Sequence, residues 1–88
     1  MANFMGGSAP AMASQVAEGF ILLSASSLRG FTPGDLILLR LELEKLQREA
    51  RAVVPPQDDA LANQARNRRI ARISSAIQVV GAKQTLRQ

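Results

Sequence analysis

The chain has 88 residues and a net charge of +4, and it contains no Cys, His, Trp or Tyr. These absences exclude disulfide bonds, thiolate nucleophiles and sulfur-ligated metals, and they remove the commonest general base and metal ligand. The length allows at most one domain with a small core, and the abundance of Ala, Leu, Arg and Gln favours helices.

The N-terminal segment, residues 1–10, is predicted to be a flexible arm. It combines two glycines, a serine and a proline with too few apolar residues to pack alone. Phe4 and Met5 are its two candidates for anchoring to a neighbouring surface. Residues 11–88 are expected to form a single helical domain.

The chain contains no candidate for a membrane-spanning helix, which needs roughly 18 uncharged apolar residues. The best stretch, residues 12–28, is interrupted by Glu18 and has no basic segment ahead of it, which also argues against a cleaved signal peptide. We therefore expect a cytoplasmic protein, or one exported without a cleaved signal peptide.

A first, short helix is predicted over residues 11–29. Its apolar residues recur at helical spacing, and Gly30 stands where a helix C-cap favours a residue that tolerates positive φ. One row comprises Met12, Val16, Phe20 and Leu23. Gly19 weakens this helix by about 1 kcal/mol relative to Ala, and the run 20–23 would equally suit a buried strand.

The start of a second helix is marked by the sequence from Phe31 to Leu36. Thr32 suits the N-cap, Pro33 the first helical position, and Asp35 the position from which a carboxylate bonds back to the cap. Phe31 and Leu36 occupy the two positions of a hydrophobic staple. Four independent rules therefore agree that a helix begins here.

This second helix, about residues 33–54, carries an apolar stripe spaced three, four, three, four and three residues apart. A period of 3.5 residues is typical of a coiled-coil seam. The stripe comprises Leu36, Leu39, Leu43, Leu46, Ala50 and Val53. Because it spans fewer than three heptads, the seam either docks on the chain's own third helix or assembles with other chains. Pro55 and Pro56 then end the helix.

A third helix, about residues 57–80, opens with Asp58 and Asp59, whose charge complements the helix dipole. Gly81 is its expected cap, and residues 82–88 are expected to be a frayed or partner-ordered tail. Its own stripe matches that of the second helix and comprises Ile70, Ile73, Ile77 and Val80. The sequence therefore predicts an all-α fold, an antiparallel hairpin over residues 32–80 with a shorter N-terminal helix.

The second helix is also apolar nearly all round at its start, over residues 36–39 and at Leu41. One hairpin partner cannot cover so much apolar surface. The remainder is expected to be covered by the first helix, which would give a three-helix bundle, or by neighbouring copies in a helical assembly.

Positive charge is concentrated at the C-terminal end, because residues 60–88 hold six basic and no acidic side chains. The densest group comprises Arg66, Arg68, Arg69 and Arg72. Such a cluster could bind phosphates of RNA or DNA, but the helix carries no aromatic residue for base stacking. We favour the alternative that some of these arginines meet acidic side chains across the hairpin or across a subunit boundary, with their stems covering apolar surface. The candidate partners are Glu42, Glu49, Asp58 and Asp59.

Motifs that carry catalysis are missing from the sequence. There is no phosphate-binding loop, dinucleotide fingerprint, metal-ligand cluster or nucleophile elbow. We therefore expect a non-enzymatic protein without a cofactor.

The sequence thus indicates a structural or adaptor subunit that self-assembles or docks into a larger protein complex through its hairpin. The expected interface consists of eight seam residues, namely Leu36, Leu39, Leu43 and Leu46 of the second helix and Ile70, Ile73, Ile77 and Val80 of the third. In size and layout the chain resembles the helical-hairpin subunits of type III secretion needles and inner rods, although its Pro55–Pro56 turn lies later in the chain. A small basic nucleic-acid-binding protein using the arginine cluster is the alternative.

Overall fold

The computed structural model describes Phe4 and residues 7–86, in which three α-helices and no strand occur. Helix α1 spans Ala9–Ala17, α2 spans Pro33–Ala52 and α3 spans Ala60–Leu86. Helices α2 and α3 pack side by side as an antiparallel hairpin, and α1 lies against both. The predicted all-α hairpin with a shorter N-terminal helix is confirmed, and α1 packs on its own hairpin as in a three-helix bundle.

Helix α1 begins inside the segment predicted to be an arm, residues 1–10. Ser8 caps the helix by accepting a hydrogen bond from the backbone N–H three residues later. Further back, the ring of Phe4 packs edge-on against Phe31, with 5.3 Å between the ring centroids. Met5, the other predicted anchor, lies outside the described residues.

Helix α1 ends at Ala17, two residues before Gly19, so the prediction of one helix over residues 11–29 is wrong. Gly19 has a φ of +86°, and the N–H of Phe20 donates to the carbonyl of Gln15 at 2.9 Å. This is a Schellman motif, in which a left-handed residue closes the last helical turn. The glycine that was expected to weaken the helix instead terminates it.

The chain between α1 and α2 includes residues 21–24, which belong to neither a helix nor a strand. Ile21 and Leu23 point into the protein, whereas Phe20 and Leu22 are 80% and 90% exposed. This alternation resembles the strand considered as an alternative, but the described residues provide no partner strand. Gly30 has the positive φ expected of it, yet it ends a turn and not a helix.

The start of α2 follows the sequence prediction closely. The N–H of Asp35 donates to Thr32 Oγ1 at 3.1 Å, and the N–H of Thr32 donates to Asp35 Oδ2 at 3.0 Å. This reciprocal capping box is followed by Pro33 in the first turn. Phe31 and Leu36, the two staple residues, are both buried.

The turn of the hairpin is longer than predicted. Helix α2 ends at Ala52, because Val53 already has extended backbone angles, and α3 begins at Ala60 instead of residue 57. Asp59 accepts a hydrogen bond from the N–H of Ala62 at 3.0 Å. The aspartate therefore acts as the N-cap of α3 and not as a residue of its first turn.

Helix α3 continues through Gly81 to Leu86. The prediction that Gly81 caps the helix is therefore wrong, and so is the prediction of a frayed tail for residues 82–86. Gly81 is not among the glycines with positive φ. The helix is held to α2 here, because Arg40 Nη1 donates to Gln84 Oε1 at 3.0 Å. The last two residues of the chain lie outside the described part.

The core is built from all three helices and the segment between α1 and α2. Its buried side chains are those of Met12, Ala13, Val16, Ala17, Leu23, Leu28, Phe31, Leu36, Leu39, Leu43, Ile73, Ala76 and Val80. Each is at most 6% exposed. None of the helices in the described residues combines the length and the apolar composition needed to cross a bilayer.

Candidate protein-docking surfaces

The eight residues predicted as a protein interface line the junction of α2 and α3. Buried side chains among them are Leu36, Leu39, Leu43, Ile73 and Val80, and half-buried ones are Leu46, Ile70 and Ile77. The seam is therefore packed inside the chain. A polar contact also joins the two helices, since Gln47 Nε2 donates to Ser74 Oγ at 2.7 Å. Surfaces open to a partner lie on other faces of the same helices.

Two of the four clustered arginines cap the C-terminal ends of other helices. Arg66 donates from Nε to the carbonyl of Val53 at 2.9 Å and from Nη2 to that of Arg51 at 3.1 Å. Arg72 donates from Nε to the carbonyl of Ala17 at 3.0 Å. The last carbonyls of a helix lack partners within the helix and carry partial negative charge, which a guanidinium satisfies.

The other two arginines differ in their surroundings. Arg69 pairs with Glu18, the residue that follows α1, through Nη1 and the carboxylate. Arg68 is exposed, and its side chain has no hydrogen bond or ion pair to any residue the structure describes. The favoured prediction paired these arginines with Glu42, Glu49, Asp58 or Asp59. In the structure, Arg66 and Arg72 bind backbone carbonyl groups instead, and Arg69 binds Glu18.

One apolar surface stays uncovered on α2. Ile37, Leu38 and Leu41 are each between 52% and 54% exposed. At 100° per residue they lie on the side of the helix opposite to the buried seam, and we call them the outer face of α2. Glu42 and Glu44 lie on either side of them by the same geometry. The excess apolar surface noted in the sequence is therefore only partly covered by α1.

A second apolar surface is an open groove of about 420 Å³ near the hairpin turn. We call it the distal groove. Its apolar lining comes from Leu46, Ala50, Val53, Pro55 and Ala62, and its charged lining from Glu49, Arg66 and Arg69. A volume of this size falls within the range of about 300–1,000 Å³ typical of binding pockets.

The distal groove continues the groove in which α1 lies. Arg69, which reaches Glu18 just beyond α1, also lines the distal groove. Helix α1 has nine residues and α2 has twenty, so α1 covers about half of the hairpin's length. The apolar stripe predicted for α3 begins only at Ile70. The sequence did not reveal the groove, because the length of α1 was overestimated.

A metal site is not indicated in the part of the chain that the structure describes. Among the described residues, no group of three or more acidic side chains is placed to hold a metal ion. Comparison of this chain with models of protein families, with curated proteins and with solved structures gives no match.

Proposed function

We propose that this protein is a non-enzymatic structural or adaptor subunit that docks onto another protein through the outer face of α2. The observation that carries the proposal is the exposure of Ile37, Leu38 and Leu41 together on one helix face. Covering apolar surface is favourable by about 25 cal/mol per Å², so an apolar helix face favours association.

The arginine cluster gives less support to the alternative of nucleic-acid binding. Arg66 and Arg72 are occupied with helix ends, and Arg69 is paired with Glu18. A phosphate would have to compete with these contacts, which leaves Arg68 as the cluster's readily available charge. Assembly in the manner of a secretion needle or inner rod is one form that the proposed docking could take.

The proposal is tested by asking which proteins co-purify with the chain from its native source, with Leu41→Lys as the disrupting variant. Leu41 is half exposed, so the lysine should leave the fold intact while placing a charge in the apolar face. Gln64→Lys adds the same charge at an exposed position on α3 and serves as the control.

We expect at least one protein, or further copies of this chain, to be recovered with the wild type and the control but lost with Leu41→Lys. Recovery of the same set with all three chains would refute the proposal. Circular dichroism of the purified variants verifies that each remains helical.

A further inference from the structure

The hairpin turn carries exposed apolar side chains besides those on the outer face of α2. Residues 53–56 have the sequence Val-Val-Pro-Pro, and we call them the proline segment. Val53 and Val54 are 70% and 71% exposed, and Pro56 is exposed as well. Pro55 is half-buried and lines the distal groove. Most of the segment's apolar surface therefore faces solvent beyond the end of α2.

The backbone of the proline segment is restricted by its two prolines. Each proline ring fixes its own φ at about −65° and disfavours the helical region for the residue before it. Val54 and Pro55 both precede a proline, and Val53 has a φ of −92° and a ψ of 110°. No peptide bond in the described residues is cis. These restrictions favour a polyproline II helix, an open helix with three residues per turn.

Hydrogen bonds from α3 and its N-cap hold both ends of the proline segment. Arg66 Nε donates to the carbonyl of Val53 at 2.9 Å. Asn63 Nδ2 donates to the carbonyl of Pro56 at 2.9 Å, and the N–H of Asp59 donates to the same carbonyl at 3.0 Å. The segment is therefore ordered before a partner arrives, so that binding costs little conformational entropy.

The middle of the proline segment is open to a partner. The carbonyls of Val54 and Pro55 accept no hydrogen bond from any residue that the structure describes. The prolines themselves have no backbone N–H to donate. An ordered apolar ridge with free carbonyl acceptors suits a groove lined by aromatic side chains, whose rings pack on the ridge while Trp or Tyr donates to the carbonyls.

The groove that fits this segment has to belong to a different protein. This chain has no Trp or Tyr and only three Phe. Phe4 and Phe31 pack against each other, and Phe31 is buried, which leaves Phe20 as a single exposed ring. One ring does not line a groove, so a second copy of the chain cannot supply the aromatic surface.

We propose that the proline segment docks into an aromatic-lined groove of a different protein, in the manner of a polyproline II ligand. The inference goes beyond the proposed function and does not depend on it, because the outer face of α2 is a separate surface. At 1.5 Å per residue, Leu41 and Val53 are about 18 Å apart along α2. This separation gives the chain two docking surfaces for two partners, as an adaptor requires.

NMR titration of the whole chain tests the inference. Purified SH3 and WW domains, which bind proline-rich segments in aromatic-lined grooves, are each added to the isotopically labelled protein. Four residues bury far less than the roughly 800 Å² per partner of a standard interface, so we expect weak binding with a Kd on the order of 100 µM. With at least one domain, the amide signals of Val53, Val54 and Gln57 should shift more than those of other residues.

Two variants change the proline segment in different ways. Val54→Ser removes an exposed apolar side chain, and Pro56→Ala removes a ring and releases the restriction on Pro55. Leu22→Ser is the matched control, because Leu22 is 90% exposed but lies between α1 and α2. We expect each segment variant to bind about tenfold more weakly than the wild type, and the control to bind equally well. Circular dichroism verifies that all three remain helical.

Three results would overturn the inference. The first is the absence of shifts with every domain at concentrations up to about 1 mM. The second is an unchanged affinity of both Val54→Ser and Pro56→Ala. The third is a set of shifts centred on Ile37 and Leu41, which would assign the binding to the outer face of α2. None of them tests the proposed docking through that face onto the protein's native partner, because co-purification with Leu41→Lys measures it separately.

Discussion

At the scale of single residues, the arginines of α3 show how one side-chain type can look functional in sequence and act structurally in the fold. A guanidinium has five N–H donors in a planar fork, so it can serve two carbonyl oxygens at once. Arg66 does this at the end of α2, where it binds the carbonyls of Arg51 and Val53. The sequence could not reveal this, because the two partners are backbone atoms 13 and 15 residues away.

Replacing Arg66 should therefore cost stability. We expect Arg66→Ala to lower the free energy of unfolding by about 1–2 kcal/mol, because two charge-assisted hydrogen bonds to carbonyls of α2 are lost. Urea denaturation followed by circular dichroism measures the difference. Arg68→Ala removes the same side chain from an exposed position and should change the stability by less than about 0.5 kcal/mol. Equal losses from the two variants would contradict the capping role.

At the scale of the helices, the sequence predicted elements well where local signals agreed and poorly where only periodicity was available. The start of α2 was predicted correctly, because the cap, the proline, the acidic residue and the staple all lie within six residues. The length of α1 was predicted wrongly because apolar residues at helical spacing continue past Gly19, although the chain there is not helical. Helical spacing had placed Phe20 and Leu23 in one row, but Leu23 is buried whereas Phe20 is 80% exposed.

The candidate docking surfaces were predictable from the sequence to about the same extent as the helices. The sequence identified the apolar seam and an excess of apolar surface at the start of α2. Which face is covered depends on where α1 packs and how far it reaches, and these are tertiary properties. The distal groove exists because α1 stops at Ala17, a consequence of the positive φ of Gly19. The backbone conformation of Gly19 therefore determines how much of the hairpin α1 covers, which the apolar pattern alone could not predict.

The two faces of α2 should lose very different amounts of stability on truncation. Leu43 is fully buried in the seam, whereas Leu41 on the outer face is 54% exposed. We expect Leu43→Ala to lower the free energy of unfolding by about 2–5 kcal/mol, through lost burial and the cavity left behind. Leu41→Ala should cost less than about 1 kcal/mol in the dilute monomer. Chemical denaturation at low protein concentration compares them, and similar losses would show that the seam is misassigned.

At the scale of the whole molecule, the total positive charge has to be distinguished from the positive side chains that are free to bind a partner. The net charge is +4, and residues 60–88 contribute six positive side chains and no negative ones. Within the fold, however, Arg66, Arg69 and Arg72 bind groups of the same chain. What remains is a mildly positive protein without a concentrated, unoccupied basic patch on α3. Such a protein attracts polyanions only through its overall field, and salt screens this attraction.

Binding of nucleic acid through the overall charge can be distinguished from binding at a specific phosphate contact. The measurement is fluorescence anisotropy with labelled single-stranded RNA and duplex DNA. We expect binding to be weak at low salt and to disappear near physiological ionic strength, because few counterions are released. Arg68→Gln and Gln64→Glu each lower the net charge by one at neighbouring exposed positions of α3. They should weaken the low-salt binding equally if only the overall charge matters. If Arg68→Gln reduced the affinity tenfold more than Gln64→Glu, Arg68 would be a true phosphate contact, and nucleic-acid binding would replace protein docking as the better account of α3.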